Sequence, residues 1–173
     1  MRYFFITQDV DLPGTIQYRD FDITGGRQLF LKSDSGRLHD ATPLYLTGTG
    51  KEARPDFLQR PVLMFSQRLK EILYAYEPEL IFKEVILIHK ESSLQYYYVH
   101  TLMEPLDVLS DKTEYYPNQT IKKLVLDQKK IGRHHLFLPE GSQRKDPVVS
   151  LALAESLLRR RVTGICFEEV ETQ

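Results

Sequence analysis

Phe65-Ser66-Gln67-Arg68-Leu69-Lys70-Glu71-Ile72-Leu73 is echoed by Val149-Ser150-Leu151-Ala152-Leu153-Ala154-Glu155-Ser156-Leu157. Both stretches carry an apolar residue, Ser, then Leu, Glu and Leu at the same offsets from the serine. Each is followed by a strand-like tetrad, Phe82-Lys83-Glu84-Val85 in the first and Phe167-Glu168-Glu169-Val170 in the second. Ser66 to Phe82 spans 16 positions and Ser150 to Phe167 spans 17, so the connector length is held as well. What repeats is packing and capping rather than reactive side chains. The pattern predicts a scaffold with two helix–strand units, Ser66 to Val85 and Ser150 to Val170.

In the first copy Leu69, Ile72, Leu73 and Tyr76 fall at i, i+3, i+4 and i+7, one face of a helix that Pro78 ends. Ser66 is placed to be its N-cap, its hydroxyl accepting from an otherwise unpaired helical N–H. In the second copy Ser150 takes that place, the helix runs to about Arg161, and Gly164 is free to adopt the left-handed conformation of a helix stop. Arg159, Arg160 and Arg161 crowd its last turn, where positive charge favours the negative end of the helix dipole. Ile81 to Ile88, the polar Lys90-Glu91-Ser92-Ser93 and Leu94 to Leu102 read as a hairpin. Tyr3 to Ile6, Ile121 to Leu126, His134 to Leu138 and Ile165 to Val170 read as further strands, and Leu106 to Tyr116 as a short acidic helix. Residues 15–60 have weak periodicity and hold Gly25, Gly26, Gly36, Gly48 and Gly50, with Phe30-Leu31 and Leu44-Tyr45-Leu46 as apolar islands. The expectation there is short strands and long surface loops. Strands outnumber helices and return by short turns, so the class is α+β with a largely antiparallel sheet. At 173 residues the chain fits a single domain, its N-terminal part (1–60) irregular and its core (61–173) duplicated.

The formal net charge is −1, with 23 basic against 24 acidic residues, which gives no global field for nucleic acid or an anionic membrane. No apolar run reaches the length that crosses a bilayer, and the opening Met1-Arg2-Tyr3-Phe4-Phe5-Ile6 is too short for a signal peptide. The single cysteine, Cys166, suits a reduced, cytosolic setting and is expected in the core as a small hydrophobe.

Reactive patterns are scarce. Leu46-Thr47-Gly48-Thr49-Gly50-Lys51-Glu52 superficially suggests a phosphate loop, but Tyr45 stands where the first glycine belongs and Glu52 where the magnesium-binding hydroxyl belongs. His134 and His135, adjacent on a strand, would point to opposite faces and not converge on one metal. Neither Ser66 nor Ser150 sits in a nucleophile elbow, and capping explains both. Hence no catalytic residue, cofactor or metal is expected. For partner binding the candidates are Asp107, Asp111 and Glu114, which would share one helical face at i, i+4 and i+7, with Tyr115 and Tyr116. Tyrosine suits interfaces as well as half-buried strands, and in Tyr96-Tyr97-Tyr98 the middle ring would face away from its neighbours.

The order of these elements resembles the immunity protein family 11 type of bacterial polymorphic toxin systems. The likeness is carried by Met1-Arg2-Tyr3-Phe4-Phe5-Ile6 with Asp9 and Pro13-Gly14, by Phe65-Ser66-Gln67-Arg68-Leu69, and by Tyr97-Tyr98-Val99 with Leu106-Asp107-Val108-Leu109. It continues through Ile131-Gly132-Arg133-His134-His135-Leu136-Phe137, Val148-Val149-Ser150 and Thr163-Gly164-Ile165-Cys166-Phe167. Leu138 departs from it, since members often carry a basic residue there. The resemblance implies a cytoplasmic protein that neutralises a cognate toxin by direct stoichiometric binding, without catalysis. Two other readings stand beside it: a small-molecule-binding enzyme with a pocket in the 15–60 region, and a regulatory or structural subunit whose partner is not a toxin.

Overall fold

The computed structural model describes residues 1–14, 16–18, 31–48, 51–59, 62–142, 144 and 146–173. Gly25, Gly26, Phe30 and Gly50 lie outside them, so the readings placed on those residues have no structural counterpart here.

The chain runs through β1 (Tyr3–Gln8), β2 (Gln17–Tyr18), β3 (Ala41–Thr47), β4 (Phe57–Leu58), β5 (Met64–Ser66), α1 (Lys70–Tyr76) and β6 (Ile81–His89). It continues with β7 (Leu94–Leu102), β8 (Pro105–Leu106), β9 (Glu114–Tyr115), β10 (Ile121–Lys123) and β11 (Val125–Leu126). Then come α2 (Gln128–Ile131), β12 (Leu136–Pro139), β13 (Val148–Ser150), α3 (Leu151–Arg159) and β14 (Ile165–Thr172). The class is α+β with mostly antiparallel pairing, as the turn spacing predicts.

Two six-stranded sheets carry the fold, in the orders β2-β3-β6-β7-β5-β4 and β11-β14-β1-β13-β12-β8. Laid over one another, β3-β6-β7-β5-β4 and β11-β14-β1-β13-β12 agree strand by strand, including the parallel pairs β3–β6 and β11–β14. The register agrees too. Tyr98 lies between Ser66 and Val85, and Tyr3 between Ser150 and Val170. One step along, Val99 lies between Phe65 and Glu84, and Phe4 between Val149 and Glu169. The repeated phrase is thus the visible part of a repeated sheet.

The central strand comes from different places in the chain. In the first sheet it is β7, which follows β6 through the expected hairpin; in the second it is β1, from the start of the chain. Taken as two runs that each open on this strand, β1–β6 and β7–β14, each run lends its first strand to the other's sheet. Both sheets and both long helices contribute to one core, with Phe57, Phe65 and Val99 from the first sheet, Ile6, Leu136 and Val149 from the second, and Leu73 and Leu157 from α1 and α3. Each fully buried side chain of this size contributes roughly 1.5–3 kcal/mol. Tyr76 ties the helices together, its hydroxyl 3.1 Å from the Ala152 carbonyl and 2.8 Å from Ser156 Oγ.

Ser150 caps α3 as expected, its Oγ accepting from the Leu153 N–H at 3.3 Å. Ser66 does not cap α1. Its hydroxyl donates to Asp56 Oδ1 at 2.6 Å, and a short 3-10 turn, Gln67–Leu69, precedes the α-helix. The left-handed residue ending α3 is Arg161, at φ 51°, rather than Gly164. Gly164, at φ 71°, is needed for a close approach instead: a Cβ there would stand 2.2 Å from Pro55 Cβ.

The acidic helix expected over Leu106–Tyr116 does not form. This segment holds β8, a bridge from Leu109 to Leu126, a turn and β9. Its Ser110 N–H donates to the Val125 carbonyl at 2.9 Å, and the Thr113 hydroxyl to the same carbonyl at 3.0 Å. Buried backbone groups of β11 need partners, and an extended segment supplies them where a helix would not. Cys166 is also displaced from expectation. It lies exposed near the start of β14, and desolvation together with Asp9 and Asp11 pushes its thiol up.

Candidate interaction surfaces

The five residues singled out for partner binding lie on one extended segment, but not on one helical face. Asp107 takes the Lys130 ammonium at 3.2 Å, and Lys130 also donates to the Leu109 carbonyl at 3.0 Å. Asp111 accepts from Gln173 Nε2 at 2.9 Å and from the Ser110 hydroxyl at 3.2 Å; those bonds, Gln173 first, hold its carboxyl below the usual range. Glu114 pairs with Lys122 at 3.1 Å across the β9–β10 ladder. Each carboxylate therefore has a partner in the chain, and two of those partners are cations that blunt an acidic field. Tyr115 and Tyr116 remain half-exposed, at 50% each, on this small hairpin.

A second surface lies on the first sheet. Side chains alternate along a strand, so Pro43 and Tyr45 of β3, Glu84, Ile86 and Ile88 of β6, and Tyr97 of β7 share one face. Near α1 this face is covered by the core; farther along β3 and β6 it is open. Tyr45 is 44% exposed and Tyr97 54%, Pro43 is exposed, and Ile86 and Ile88 are half-buried. The opposite face, with Leu44, Val85, Leu87 and Tyr98, is packed. A signal for it was present in the sequence. Val85-Ile86-Leu87-Ile88 does not alternate, which makes the strand apolar on both faces, while an antiparallel hairpin usually presents one polar face to water. Tyr97 facing away from Tyr96 and Tyr98 was legible; that its neighbours are also bare was not.

The second sheet offers an internal control. By register, Arg2 stands where Tyr97 does, Glu169 where Glu84 does, and Glu171 where Ile86 does. There the face is charged: Arg2 pairs with Glu169 through two bonds of 2.6 Å, and Glu171 with Lys123 at 2.8 Å. This fold accepts ion pairs at these positions, so the apolar set on the first sheet is not imposed by packing.

The groups a nucleophilic mechanism would use are committed elsewhere. Ser150 Oγ and His135 Nδ1 are 2.7 Å apart, yet Ser150 is fully buried and its oxygen holds the start of α3. The same place in the first half is filled by Ser66 and Asp56. The main-chain frame matches as well, Ser66 N to the Asp56 carbonyl at 2.8 Å and Ser150 N to the His135 carbonyl at 3.0 Å. A pair reproduced with a carboxylate in place of an imidazole is a structural joint. His134 turns to Glu77 instead, its Nδ1 3.3 Å from Oε2. Among the described residues no His, Cys, Asp and Glu gather as a metal site. One cleft, of about 390 Å³, borders β10 and β14, where Arg144 is held between Asp146 and Glu168. Another, of about 220 Å³, has Lys32 in its lining, the one described residue of 15–60 there. No helix among the described residues is long and apolar enough to cross a membrane.

The twofold-repeated α+β frame carries exposed tyrosines on its first sheet and on the β9–β10 hairpin. The chain belongs to the immunity protein family Imm11, whose model matches residues 27–172. No curated protein matches it.

Proposed function

We propose that this chain is a cytoplasmic immunity protein of a bacterial polymorphic toxin system, and that it neutralises its cognate toxin by binding it stoichiometrically rather than by modifying it. The observation that carries the reading is the family match across 27–172. Its physical support is the exposure of Tyr45, Tyr97, Tyr115 and Tyr116 on a frame of paired sheets. Masking needs a rigid scaffold and a few anchors that bury apolar area while keeping a polar tip satisfied, and exposed tyrosines supply that without a cofactor.

The segment with Asp107, Asp111, Glu114, Tyr115 and Tyr116 is one contact region in this reading. The tyrosines are its anchors; the carboxylates, already paired, steer weakly and could exchange Lys122 or Lys130 for a basic toxin group. The test is co-expression of this chain with the toxin encoded beside it, scored for survival and for recovery of a complex. Survival with a one-to-one complex supports masking. Survival without any complex points to catalytic detoxification, and absence of protection removes the immunity reading.

A further inference from the structure

We propose that the open face of the first sheet, centred on Pro43, Ile86 and Tyr97, is the main docking surface for the toxin, and that Glu84 receives an arginine or lysine from it. This inference rests on the immunity reading and names the surface that reading leaves open.

The second sheet shows that this fold can fill the same positions with charge. There Arg2 reaches Glu169 at 2.6 Å, and Lys123 holds Glu171. In the first sheet the carboxylate is kept, as Glu84, but its cation is replaced by Tyr97 and the second carboxylate by Ile86. Glu84 is exposed and makes no ion pair among the described residues. The sequence has thus exchanged a self-sufficient charged face for an apolar one with a single open acceptor. A partner that lays apolar side chains over Pro43 and Ile86 and sets a cation beside Glu84 would restore in the complex the pairing that Arg2 and Glu169 make within the chain.

Charge and area together select the occupant. Three strands at about 4.8 Å spacing and five residues at about 3.3 Å rise make a patch of roughly 240 Å². A second copy seated on the same patch would cover about 500 Å² in all, below the ~1,200–2,000 Å² of stable interfaces. It would also bring Glu84 toward an identical patch whose own open charge is again Glu84. Among the described residues two cations border the face, each set over a ring: Lys90 over Tyr45 at 4.1 Å at its far end, and Lys70 over Phe82 at 6.0 Å where α1 covers it. A different protein with a basic residue inside an apolar surface fits both the chemistry and the need for contacts beyond the patch. At the interface the phenol of Tyr97, now donating to Gln95 Oε1 at 2.9 Å, keeps a partner while its ring is covered.

The experiment gives the first sheet the residues of the second: Ile86→Glu with Tyr97→Arg, in the full chain, with affinity for the purified toxin domain from the neighbouring gene read by calorimetry. A 100-fold or greater loss is expected, with the thermal midpoint held within a few degrees. Glu84→Lys alone should weaken binding at least tenfold, and Tyr115→Ala with Tyr116→Ala should weaken it less than the double exchange does. If the exchanged chain misfolds, hydrogen exchange on the wild-type chain with and without toxin decides instead, and residues 84–97 and 41–45 should gain protection. Wild-type binding that survives the exchange, or protection confined to the 107–116 segment, overturns this inference and leaves the immunity reading intact. A wild-type chain that does not bind the toxin at all removes both.

Discussion

Ser66 and Ser150 stand at the same point of two matching sheets and are held by different chemistry. Ser150 meets His135 and caps its helix; Ser66 meets Asp56, which also draws in Arg68 at 2.8 and 2.5 Å and the Thr163 N–H at 2.8 Å. Arg68 goes on to the Arg160 carbonyl at 2.9 Å, closing the end of α3. The first half thus carries a charged joint that reaches into the second. At the Ser150–His135 joint the contact also comes from the first half, whose loop after α1 sends Glu77 to the backbone N–H groups of His135 and Leu136. One frame admits both solutions, so the frame is held by strand order and apolar packing, and the polar residues at its joints adjust partner and stability.

Several changes would break or sharpen this comparison. The largest effect should come from removing residues 1–8. They form β1, the middle of the second sheet, while the first sheet keeps its own central strand. Because the halves share a core, the truncated chain is expected to lose its cooperative unfolding transition altogether, followed by circular dichroism during thermal unfolding. A persisting sharp transition would show that the first half folds alone.

Next comes Asp56→Ala, which should cost about 2–4 kcal/mol in chemical denaturation. It takes the carboxylate from the part-buried Ser66 hydroxyl and from the Thr163 N–H, while Arg68 is half-exposed and regains water. Burial works against the Asp56 charge, but Arg68, Ser66 and Thr163 outweigh it and hold the carboxyl below the usual range. A depressed carboxylate contributes stability at every pH above its unfolded value, near 3.9, and loses it as pH falls from there through the folded value. Wild type should therefore lose stability relative to Asp56→Asn below about pH 4, and equal acid sensitivity of the two would exclude this joint as the cause.

Gly164→Ala should cost about 2–3 kcal/mol, since it adds a Cβ at positive φ directly against Pro55. Gly132→Ala meets open space, but at φ 61° and ψ −118° it lies outside the left-handed helical region and should cost about 1–3 kcal/mol from backbone strain alone. Smallest is Ser150→Ala, at about 0.5–2 kcal/mol from the lost cap. Its partner change, Ser66→Ala, should be at least as costly, because that hydroxyl bonds a charge. If Ser150→Ala were the more damaging, the difference assigned to the two joints would be reversed.

Much of the local structure was legible. The β6–β7 hairpin follows from β-rich residues on either side of Lys90-Glu91-Ser92-Ser93, and the paired helices from the 3.6-residue spacing of leucines. Those signals are local and depend on side chains meeting one face of their own element. The error over Leu106–Tyr116 has the same root. Asp107, Asp111 and Glu114 do fall at helical spacing, but the segment's backbone is claimed by Val125 and Leu126, residues far enough along the chain to be invisible to any periodicity. The Ser66 reading failed for a similar reason, since the capping hydroxyl was claimed by Asp56 across the β4–β5 pair. Tyr115 and Tyr116, picked out as candidates from residue type, are half-exposed, whereas the bare face around Ile86 was hidden in an apolar run that reads as core.

The residues alone determined that two similar helix–strand units would form, because turn chemistry and apolar spacing act over a few positions. They also determined that the chain carries little net charge. Tertiary structure alone decided that β1 and β7 take each other's sheets, since strand pairing is a contact between segments that share no local signal. It alone decided, too, that Glu169 finds Arg2 while Glu84 is left facing water. Whether a surface charge is answered within the chain depends on what the register places beside it, and register is settled only when the sheets assemble.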